Sequence, residues 1–306
     1  MADRKFKTKM KIILVLSTIN CVLPYRRPSC HACFDGICHT RSNVFTAHKF
    51  SGQLAVDTTA NILYFHYQTN HSIDHTGAFD LNNIKFKVIP KIAFTFGHAV
   101  DQKTREFYMS GTVGIYNYNP KSKKIKSLGL TDKTIWHLQF KNKLYYSLFK
   151  SKGIYIYDKN RSISIPQLSN YHIDDFVIDK KNDLYFMSES IIYRLKNGTK
   201  NAEFFIDEIF SLAIDKKGEV HFIQPASRGI YKLDYSKDSL VEIGAFGNGT
   251  PFRVVFDADD NVIYHDIDDE KIYYLTPNYS LCTVSTKGRG RNTKKFVAMS
   301  NKSTMQ

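Results

Sequence analysis

Hydrophobic and polar positions follow one repeated pattern through most of the chain. A short apolar segment, often ending in Asp, is followed by a tight polar turn and a second segment rich in Tyr and Phe. The copies are LAVDTTANILYFHY (54–67), HAVDQKTREFYMSG (98–111), HLQFKNKLYYSLF (137–149), FVIDKKNDLYFMSE (176–189), LAIDKKGEVHFIQ (212–224) and VVFDADDNVIYHDI (254–267). Each copy predicts two β-strands joined by a turn.

The spacing of the turns gives the size of the repeating unit. The turns begin at Asp57, Asp101, Phe140, Asp179, Asp215 and Asp257, which are 44, 39, 39, 36 and 42 residues apart. Those separations are typical of four-stranded propeller blades. An Asp before a polar turn accepts hydrogen bonds from turn amides, so we interpret these residues as turn caps and not as catalytic carboxylates.

A second motif follows each copy and predicts the third strand of each unit. It reads GAFDLN at 77, GIYNYN at 114, GIYIYD at 153, IIYRLK at 191, GIYKLD at 229 and KIYYLT at 271. Six copies of both motifs in register predict an all-β fold, a six-bladed β-propeller closed by N- and C-terminal strands. We assign this propeller, with an N-terminal cysteine clasp, to residues 25–282.

The two ends of the chain have a different composition. Residues 1–24 begin with a basic segment and continue with an apolar run, 12–23, that is too short to span a bilayer, so they predict a secretory signal peptide. Residues 283–306 are rich in Lys, Ser and Gly and predict a basic, disordered tail. We therefore expect a secreted, extracellular glycoprotein. Candidate glycosylation sites are Asn70, Asn160, Asn197, Asn248 and Asn278, with a further sequon at Asn301.

Four cysteines remain after the predicted signal peptide. Cys30, Cys33 and Cys38 form a cluster near the start, and Cys282 stands alone near the end. In an oxidising compartment this pattern favours disulfides over a zinc site, because no second Cys/His cluster follows. Cys30 or Cys33 is expected to pair with Cys282, and Cys38 with the remaining partner, which would lock the closure of the propeller.

The formal charge of +14 does not predict a nucleic-acid-binding protein. Much of the positive charge lies in the two terminal segments, which leaves about +4 for the body. Binding to a phosphate backbone requires a concentrated basic face, and the body does not predict one. We expect a monomer that binds neither nucleic acid nor membranes.

Propellers bind ligands at a mouth of the central channel, so the residues that begin the first strands are the candidate site. Counting four residues back from each turn gives Gln53, Gly97, Trp136, Asp175, Ser211 and Arg253. We favour this row as facing the channel, with Phe210 and Phe252 at the rim. A row shifted by one residue contains His98 and His137. Trp136, the one Trp in the chain, predicts stacking on a flat aromatic ligand, Gln53 and Ser211 predict hydrogen bonds, and Arg253 predicts a contact with a carboxylate.

Two other functions are weighed against small-molecule binding. A metal-dependent hydrolase of the gluconolactonase kind would need several oxygen ligands at the channel, and the predicted row offers Asp175, with Asp174 beside it. His98 and His137 could form an acid/base pair, although histidines with their hydrogen bonds satisfied in the core are the simpler interpretation. The second alternative is a protein-interaction propeller that binds its partner on a broad face.

Several segments together resemble the ommochrome-binding proteins of moths and butterflies. These are CHACFDGICHTR, QLAVDTTANILYF, HAVDQKTREFYMSGTVGIY, IWHLQFKNKLYY and DDFVIDKKNDLYF, and the similarity extends from Cys30 to Cys282. The resemblance implies a secreted haemolymph protein that binds ommochrome pigments such as xanthommatin, which are tryptophan-derived tricyclic chromophores with carboxylates. It implies no enzymatic activity, cofactor or bound metal. The chain departs from the family pattern at Arg253, where a small residue is expected, and in the basic tail.

Overall fold

The computed structural model describes residues 30–47, 49–90, 92 and 94–282. The predicted signal peptide, the basic tail and the sequon at Asn301 lie outside the described residues. Within them, regular structure consists of β-strands and one short 3-10 helix, Pro166–Leu168. The all-β prediction is therefore confirmed. Among these residues, no helix has the length and apolar character needed to cross a membrane.

Four sheets are separate antiparallel meanders of consecutive strands. The first contains β3 (Lys49–Asp57), β4 (Ile62–Gln68), β5 (Asp74–Asp80) and β6 (Lys85–Ile89). The second contains β7 (Thr95–Val100), β8 (Phe107–Gly111), β9 (Gly114–Asn119) and β10 (Lys124–Gly129). The third contains β11 (Ile135–Lys141), β12 (Lys143–Leu148), β13 (Ile154–Asp158) and β14 (Arg161–Ser164). The fourth contains β15 (Asp175–Ile178), β16 (Leu184–Ser188), β17 (Ile191–Leu195) and β18 (Glu203–Asp207).

The remaining strands form one nine-stranded sheet that contains both ends of the described chain. Its strands are β1 (Ala32–Phe34), β2 (Ile37–Thr46), β19 (Ser211–Ile214), β20 (Val220–Gln224), β21 (Gly229–Asp234), β22 (Ser239–Phe246), β23 (Pro251–Phe256), β24 (Val262–Asp266) and β25 (Lys271–Leu281). The order is β19-β20-β21-β22-β1-β2-β25-β24-β23. The N-terminal β2 therefore completes a four-stranded unit with β23–β25, and β1 connects that unit to β19–β22.

The first strands of these units lie side by side around a channel. In the described chain β3 contacts β7, β7 contacts β11, and the series continues through β15, β19 and β23, which contacts β3 again. The ring is thus closed. Because each unit is packed between two neighbours, both faces of its inner strands are buried, which explains the continuous apolar segments in the sequence. Tyr64 of the first unit and Phe107 of the second, for example, stack at 4.0 Å between ring centroids.

The turn aspartates have the predicted structural role. Asp57 Oδ1 accepts hydrogen bonds from the amides of Thr59 and Ala60, and Asp179 Oδ1 accepts from those of Lys181 and Asp183. The carboxylates of Asp101, Asp215 and Asp257 bind turn amides in the same way. Each carboxylate holds the turn between the first two strands of its unit.

Two disulfides join the cysteines, as predicted for this set of residues. Cys30 is bonded to Cys38, and Cys33 is bonded to Cys282 across a separation of 249 residues. The second bond attaches the segment that begins the described chain to the end of β25. It therefore reinforces the same closure that the pairing of β2 with β25 makes through hydrogen bonds.

We expect the Cys33–Cys282 bond to stabilise the fold more than the Cys30–Cys38 bond. The loss of conformational entropy in the unfolded chain grows with the length of the closed loop, and the separations are 249 and 8 residues. The double variant Cys33→Ser/Cys282→Ser should lower the free energy of unfolding by about 2–5 kcal/mol, and Cys30→Ser/Cys38→Ser should lower it less. Urea denaturation of both variants measures the difference, and an equal or smaller effect of the long-range pair would contradict the clasp.

Candidate ligand site at the channel mouth

The first residues of the inner strands surround one mouth of the channel. Five positions are equivalent in the strand register: Gly97, His137, Asp175, Ser211 and Arg253. Gln53 lies four residues before Asp57, in the segment where the pairing of β3 with β4 is interrupted. We call these six residues the mouth ring. The channel below them contains a cavity of about 250 Å³. Five of the six belong to the row predicted from the sequence.

The third unit differs from the prediction by one residue. Its first strand runs to Lys141, one residue beyond Phe140, and turns at Asn142, where φ is 58°. His137 therefore pairs with Ser147 as Gly97 pairs with Ser110, and His137 occupies the ring where Trp136 was expected. The sequence pattern predicts that the turn starts at Phe140, because Phe140 aligns with the aspartates of the other copies. The register puts Lys141 there instead.

Gln53 holds three inner strands together on one side of the mouth. Its Oε1 accepts hydrogen bonds from the amides of His98 on β7, at 3.1 Å, and Leu138 on β11, at 2.7 Å. Its Nε2 donates to the Leu138 carbonyl at 3.0 Å and lies 2.6 Å from His137 Nε2. All the hydrogen-bonding groups of this side chain are thus directed at the neighbouring strands.

Asp175 performs the same function on the opposite side. Its Oδ2 accepts hydrogen bonds from Arg253 Nη1 on β23, at 2.8 Å, and from the Leu212 amide on β19, at 3.3 Å. Its Oδ1 lies 3.2 Å from His137 Nε2 on β11. Asp175 is only 1% exposed, so its pairing with Arg253 takes place almost entirely out of water.

His137 is the point where the Gln53 and Asp175 networks meet. Burial lowers its pKa to about 4, an effect that Asp175 opposes and Arg253 reinforces. The imidazole is therefore neutral at pH 7. Its Nε2 accepts from Gln53, so that nitrogen has no proton to donate to Asp175 Oδ1.

Three buried polar atoms of the mouth ring have no hydrogen-bond partner within the described structure: Asp175 Oδ1, Ser211 Oγ and Arg253 Nε. Buried polar groups are normally paired, so an unpaired cluster indicates a place where a polar group of another molecule can bind. The ring offers one acceptor, one hydroxyl and one cationic donor. Since Asp175 balances the charge of Arg253, the ring can receive a polar substituent without presenting a net charge.

Two aromatic side chains, Phe96 and Trp136, lie at the starts of β7 and β11 beside the ring, and Phe149 follows the end of β12. Trp136 is half-buried, with its ring 5.7 Å from that of Phe96 and 5.2 Å from that of Phe149. Its Nε1 donates to the carbonyl of Asp174 at 3.2 Å, which connects it to the residue before Asp175. Trp136 and Phe96 each occupy the place where the register of their sheet shifts. We call Phe96, Trp136 and Phe149 the mouth aromatics.

The other predicted rim residues and His98 have distinct environments. Phe210 is 43% exposed, and the guanidinium of Arg253 lies 4.5 Å from the centre of the Phe252 ring. His98 is buried, with Nδ1 2.6 Å from the Gln53 carbonyl and Nε2 3.1 Å from Thr95 Oγ1. Both nitrogens of His98 are engaged, and burial lowers its pKa to about 3. His98 and His137 therefore contact different groups of Gln53: His98 its backbone carbonyl, and His137 its side-chain amide.

The donor set of the mouth ring fits a metal ion poorly. Hard cations bind several oxygen ligands, whereas the one carboxylate of the ring already pairs with a guanidinium. Among the described residues, no group of three or more His, Cys, Asp or Glu side chains is arranged to hold a metal ion.

The candidate glycosylation sites differ in exposure. Asn70, Asn160, Asn197 and Asn248 are exposed. Asn278 is half-buried on β25, and its Nδ2, the atom that would carry a glycan, donates to Cys38 Sγ at 3.4 Å.

Comparison with known structures defines the fold class. The chain is similar to a gluconolactonase from Xanthomonas campestris, with a TM-score of 0.61 and 12% identity over 82% of this chain and 99% of that one. It is also similar to regucalcin, a calcium-binding protein from Agrobacterium tumefaciens, with a TM-score of 0.59 and 10% identity over 79% and 94% of the two chains. At these identities the similarity shows a shared propeller-like fold and no shared chemistry.

Comparison of sequences gives a relative with a different function. The chain is 24% identical to an ommochrome-binding protein of Manduca sexta over 232 residues, which are 74% of this chain and 83% of that protein. The resemblance to the ommochrome-binding proteins is therefore confirmed. No protein-family model matches the chain.

Replacement of Asp175 tests the ring as a structural unit. Asp175→Asn removes the counter-charge of buried Arg253 and should lower the free energy of unfolding by about 3–5 kcal/mol. The double variant Asp175→Asn/Arg253→Met should be less destabilised, because no unpaired charge remains. The control is Asp158→Asn, which breaks the surface pair with Lys143 and should cost about 0–1 kcal/mol. Equal effects of the two single variants in urea denaturation would contradict the assigned importance of Asp175.

The buried histidines predict a loss of stability in acid. The pKa values of His98 and His137 are lowered in the folded state to about 3 and about 4. In the unfolded chain the pKa of a histidine is about 6.5. Between these values the unfolded chain binds more protons, so the free energy of unfolding falls as the pH drops from 6.5 towards 4. His137→Gln should reduce this dependence. Denaturation curves at several pH values measure it, and an unchanged slope would show that His137 does not contribute.

Proposed function

We propose that this protein is a secreted, non-enzymatic carrier that binds a flat aromatic pigment of the ommochrome class at the mouth of a six-bladed β-propeller. The observation that carries the proposal is the adjacency of the mouth aromatics to the partly unpaired polar atoms of the mouth ring. Such a combination suits a ligand with an apolar ring system and polar substituents at its edge.

The arrangement of strands supports the six-bladed interpretation. The four separate sheets supply one blade each, and the nine-stranded sheet supplies two that β1 connects. The closed series of contacts among the first strands is the geometry of a propeller channel. In this interpretation β2 closes the ring as the outer strand of the last blade.

Stacking would supply much of the binding energy. The hydrogen bond from Trp136 Nε1 to the Asp174 carbonyl fixes the orientation of the indole, and Phe149, 44% exposed, extends the apolar surface towards solvent. A rigid aromatic platform binds a planar ligand at a small entropic cost. Aromatic pairs of this kind contribute about 0.5–1.5 kcal/mol each beyond the area they bury.

The polar ring would form the floor of the site. Hydrogen bonds join Gln53 to His137 and Asp175 to Arg253, and His137 contacts Asp175 across the mouth. A tricyclic ligand would therefore rest above these side chains and not enter the channel. Arg253 Nε can donate to a ligand carboxylate or carbonyl while Nη1 retains its bond to Asp175. Asp175 Oδ1 can accept from an N–H or O–H group of the same ligand.

Secretion is supported by the cysteine chemistry and by the surface. Structural disulfides persist in oxidising compartments, and the described residues contain two. Four of the predicted sequons are exposed, as glycosylation requires.

The fold similarity to gluconolactonases makes a metal-dependent hydrolase the second candidate. The occupation of the mouth ring by Arg253 favours the carrier, because a guanidinium bonded to the ring carboxylate opposes cation binding. The two functions differ in one simple respect: a chelator should abolish lactone hydrolysis and should leave pigment binding unchanged.

Titration with xanthommatin tests the carrier function. Trp136 is the one Trp of the chain, so quenching of Trp fluorescence reports on the mouth. We expect saturable quenching at micromolar or lower pigment concentrations. Because Trp136→Ala contains no Trp, its affinity is measured by absorbance or equilibrium dialysis. We expect binding to be at least about 10-fold weaker, the equivalent of about 1.4 kcal/mol.

The matched control is Phe204→Ala, which removes an aromatic side chain that is 60% exposed on the outer strand β18. Its affinity should equal that of the unmodified protein. Pigment binding that survives Trp136→Ala and weakens in Phe204→Ala would favour a ligand on the outer face. Absence of binding by the folded protein would refute the proposal.

A further inference from the structure

A serine, a histidine and a carboxylate lie in contact on the first unit, outside the mouth ring. Ser51 Oγ is 2.6 Å from His66 Nδ1, and His66 Nε2 is 2.9 Å from Asp74 Oδ1. Ser51 on β3 pairs with His66 on β4, and His66 pairs with Thr76 on β5, two residues after Asp74. Since side chains two residues apart on a strand share a face, all three project from the same face of the sheet.

The three side chains differ in exposure as a nucleophile, its base and an orienting acid do. His66 is 3% exposed and the Asp74 side chain 6%, whereas Ser51 remains partly exposed. Burial lowers the pKa of His66, against the opposing effect of Asp74, so the imidazole is neutral at pH 7. His66 Nε2 has no hydrogen-bond partner among the described residues, so Asp74 acts on it through its charge, at 2.9 Å. With the proton on Nε2, the lone pair of Nδ1 faces the Ser51 hydroxyl. That is the tautomer a general base requires.

The backbone bends sharply directly after Ser51. Gly52 has a φ of +77°, and a Cβ at this position would lie 2.3 Å from the Phe96 carbonyl oxygen, so no larger residue fits. The register of β3 and β4 shifts between Ser51 and Ala55. The amides of residues 52–54 thus lie outside this pairing. The amide of Gly52, which directly follows the serine, is a candidate donor to an oxyanion.

We propose that Ser51 is an activated nucleophile that is acylated by carboxylic esters, in particular aryl esters, whose ring would lie beside Phe96, 6.2 Å from the His66 ring. The Ser51 proton moves to His66 Nδ1 as Oγ bonds to the carbonyl carbon. The ester C–O bond then breaks, and the leaving alcohol takes the proton from His66. The product is an acyl-serine and a free alcohol. Formation of the acyl-serine requires neither pigment binding nor later hydrolysis of the acyl group.

Labelling with a fluorophosphonate tests the proposal directly. The full chain is incubated with the probe, which forms an O–P bond with an activated serine and releases fluoride, and the adduct is located by peptide mass spectrometry. We expect one adduct, on Ser51, and none in Ser51→Ala. Removal of a general base typically costs at least about 100-fold in rate, so His66→Gln should be labelled at least that much more slowly.

A control serine separates activation from simple exposure. Ser42 is exposed and donates to the Tyr274 carbonyl at 3.3 Å, with no imidazole among the hydrogen-bond partners described for it. Ser42→Ala should label as the unmodified protein does. Mapping of the adduct in the unmodified protein needs no variant, so the result does not depend on whether His66→Gln folds. Absence of an adduct, an adduct on another serine, or labelling that is unaffected by His66→Gln in a folded variant would overturn the proposal.

Discussion

The arrangement of the inner strands depends most on the contacts of one buried carboxylate, that of Asp175. From β15 it binds β19 through the Leu212 amide and β23 through Arg253, and it lies against β11 at His137. Gln53 binds β3 to β7 and β11 in the same manner. The two networks meet at His137, so together they connect all the first strands around the channel. The apolar faces join neighbouring units, whereas these polar groups also reach across the mouth.

This polar network also determines the character of the candidate site. It closes the channel mouth with groups that are mostly satisfied by one another, and it leaves a few atoms of Asp175, Ser211 and Arg253 unpaired. The mouth aromatics lie beside it: Phe96 and Trp136 at the starts of β7 and β11, and Phe149 in contact with Trp136. In the proposed function, a ligand would meet an apolar platform next to a polar floor of balanced charge. The similar folds of known gluconolactonases do not by themselves imply hydrolysis here, because one fold supports many functions. The mouth ring also contains the guanidinium of Arg253, which is paired with Asp175.

The sequence predicts the strands well because repeat spacing and alternating patterns are local properties. Its one error of alignment has a local cause: the third copy has Phe140 where the others have Asp, and the turn begins at Lys141. The sequence pattern consequently predicts Trp136 in the ring, whereas the structure has His137 there. The bonds of Asp175 could not be predicted, since they depend on distances across the channel. The sequence analysis does not predict the contact of Ser51 with His66. Aligning β3 and β4 as a hairpin would have placed these two residues opposite each other.

A crystal structure of the protein with bound xanthommatin would test the central claim most directly. The account predicts that the chromophore lies at the mouth, with its ring system against Trp136 and a polar substituent within hydrogen-bond distance of Arg253 Nε or Asp175 Oδ1. It also predicts that the contacts of Asp175 with Arg253 and Leu212 persist in the complex. A chromophore bound inside the channel, or on the outer strands with the mouth unchanged, would contradict it.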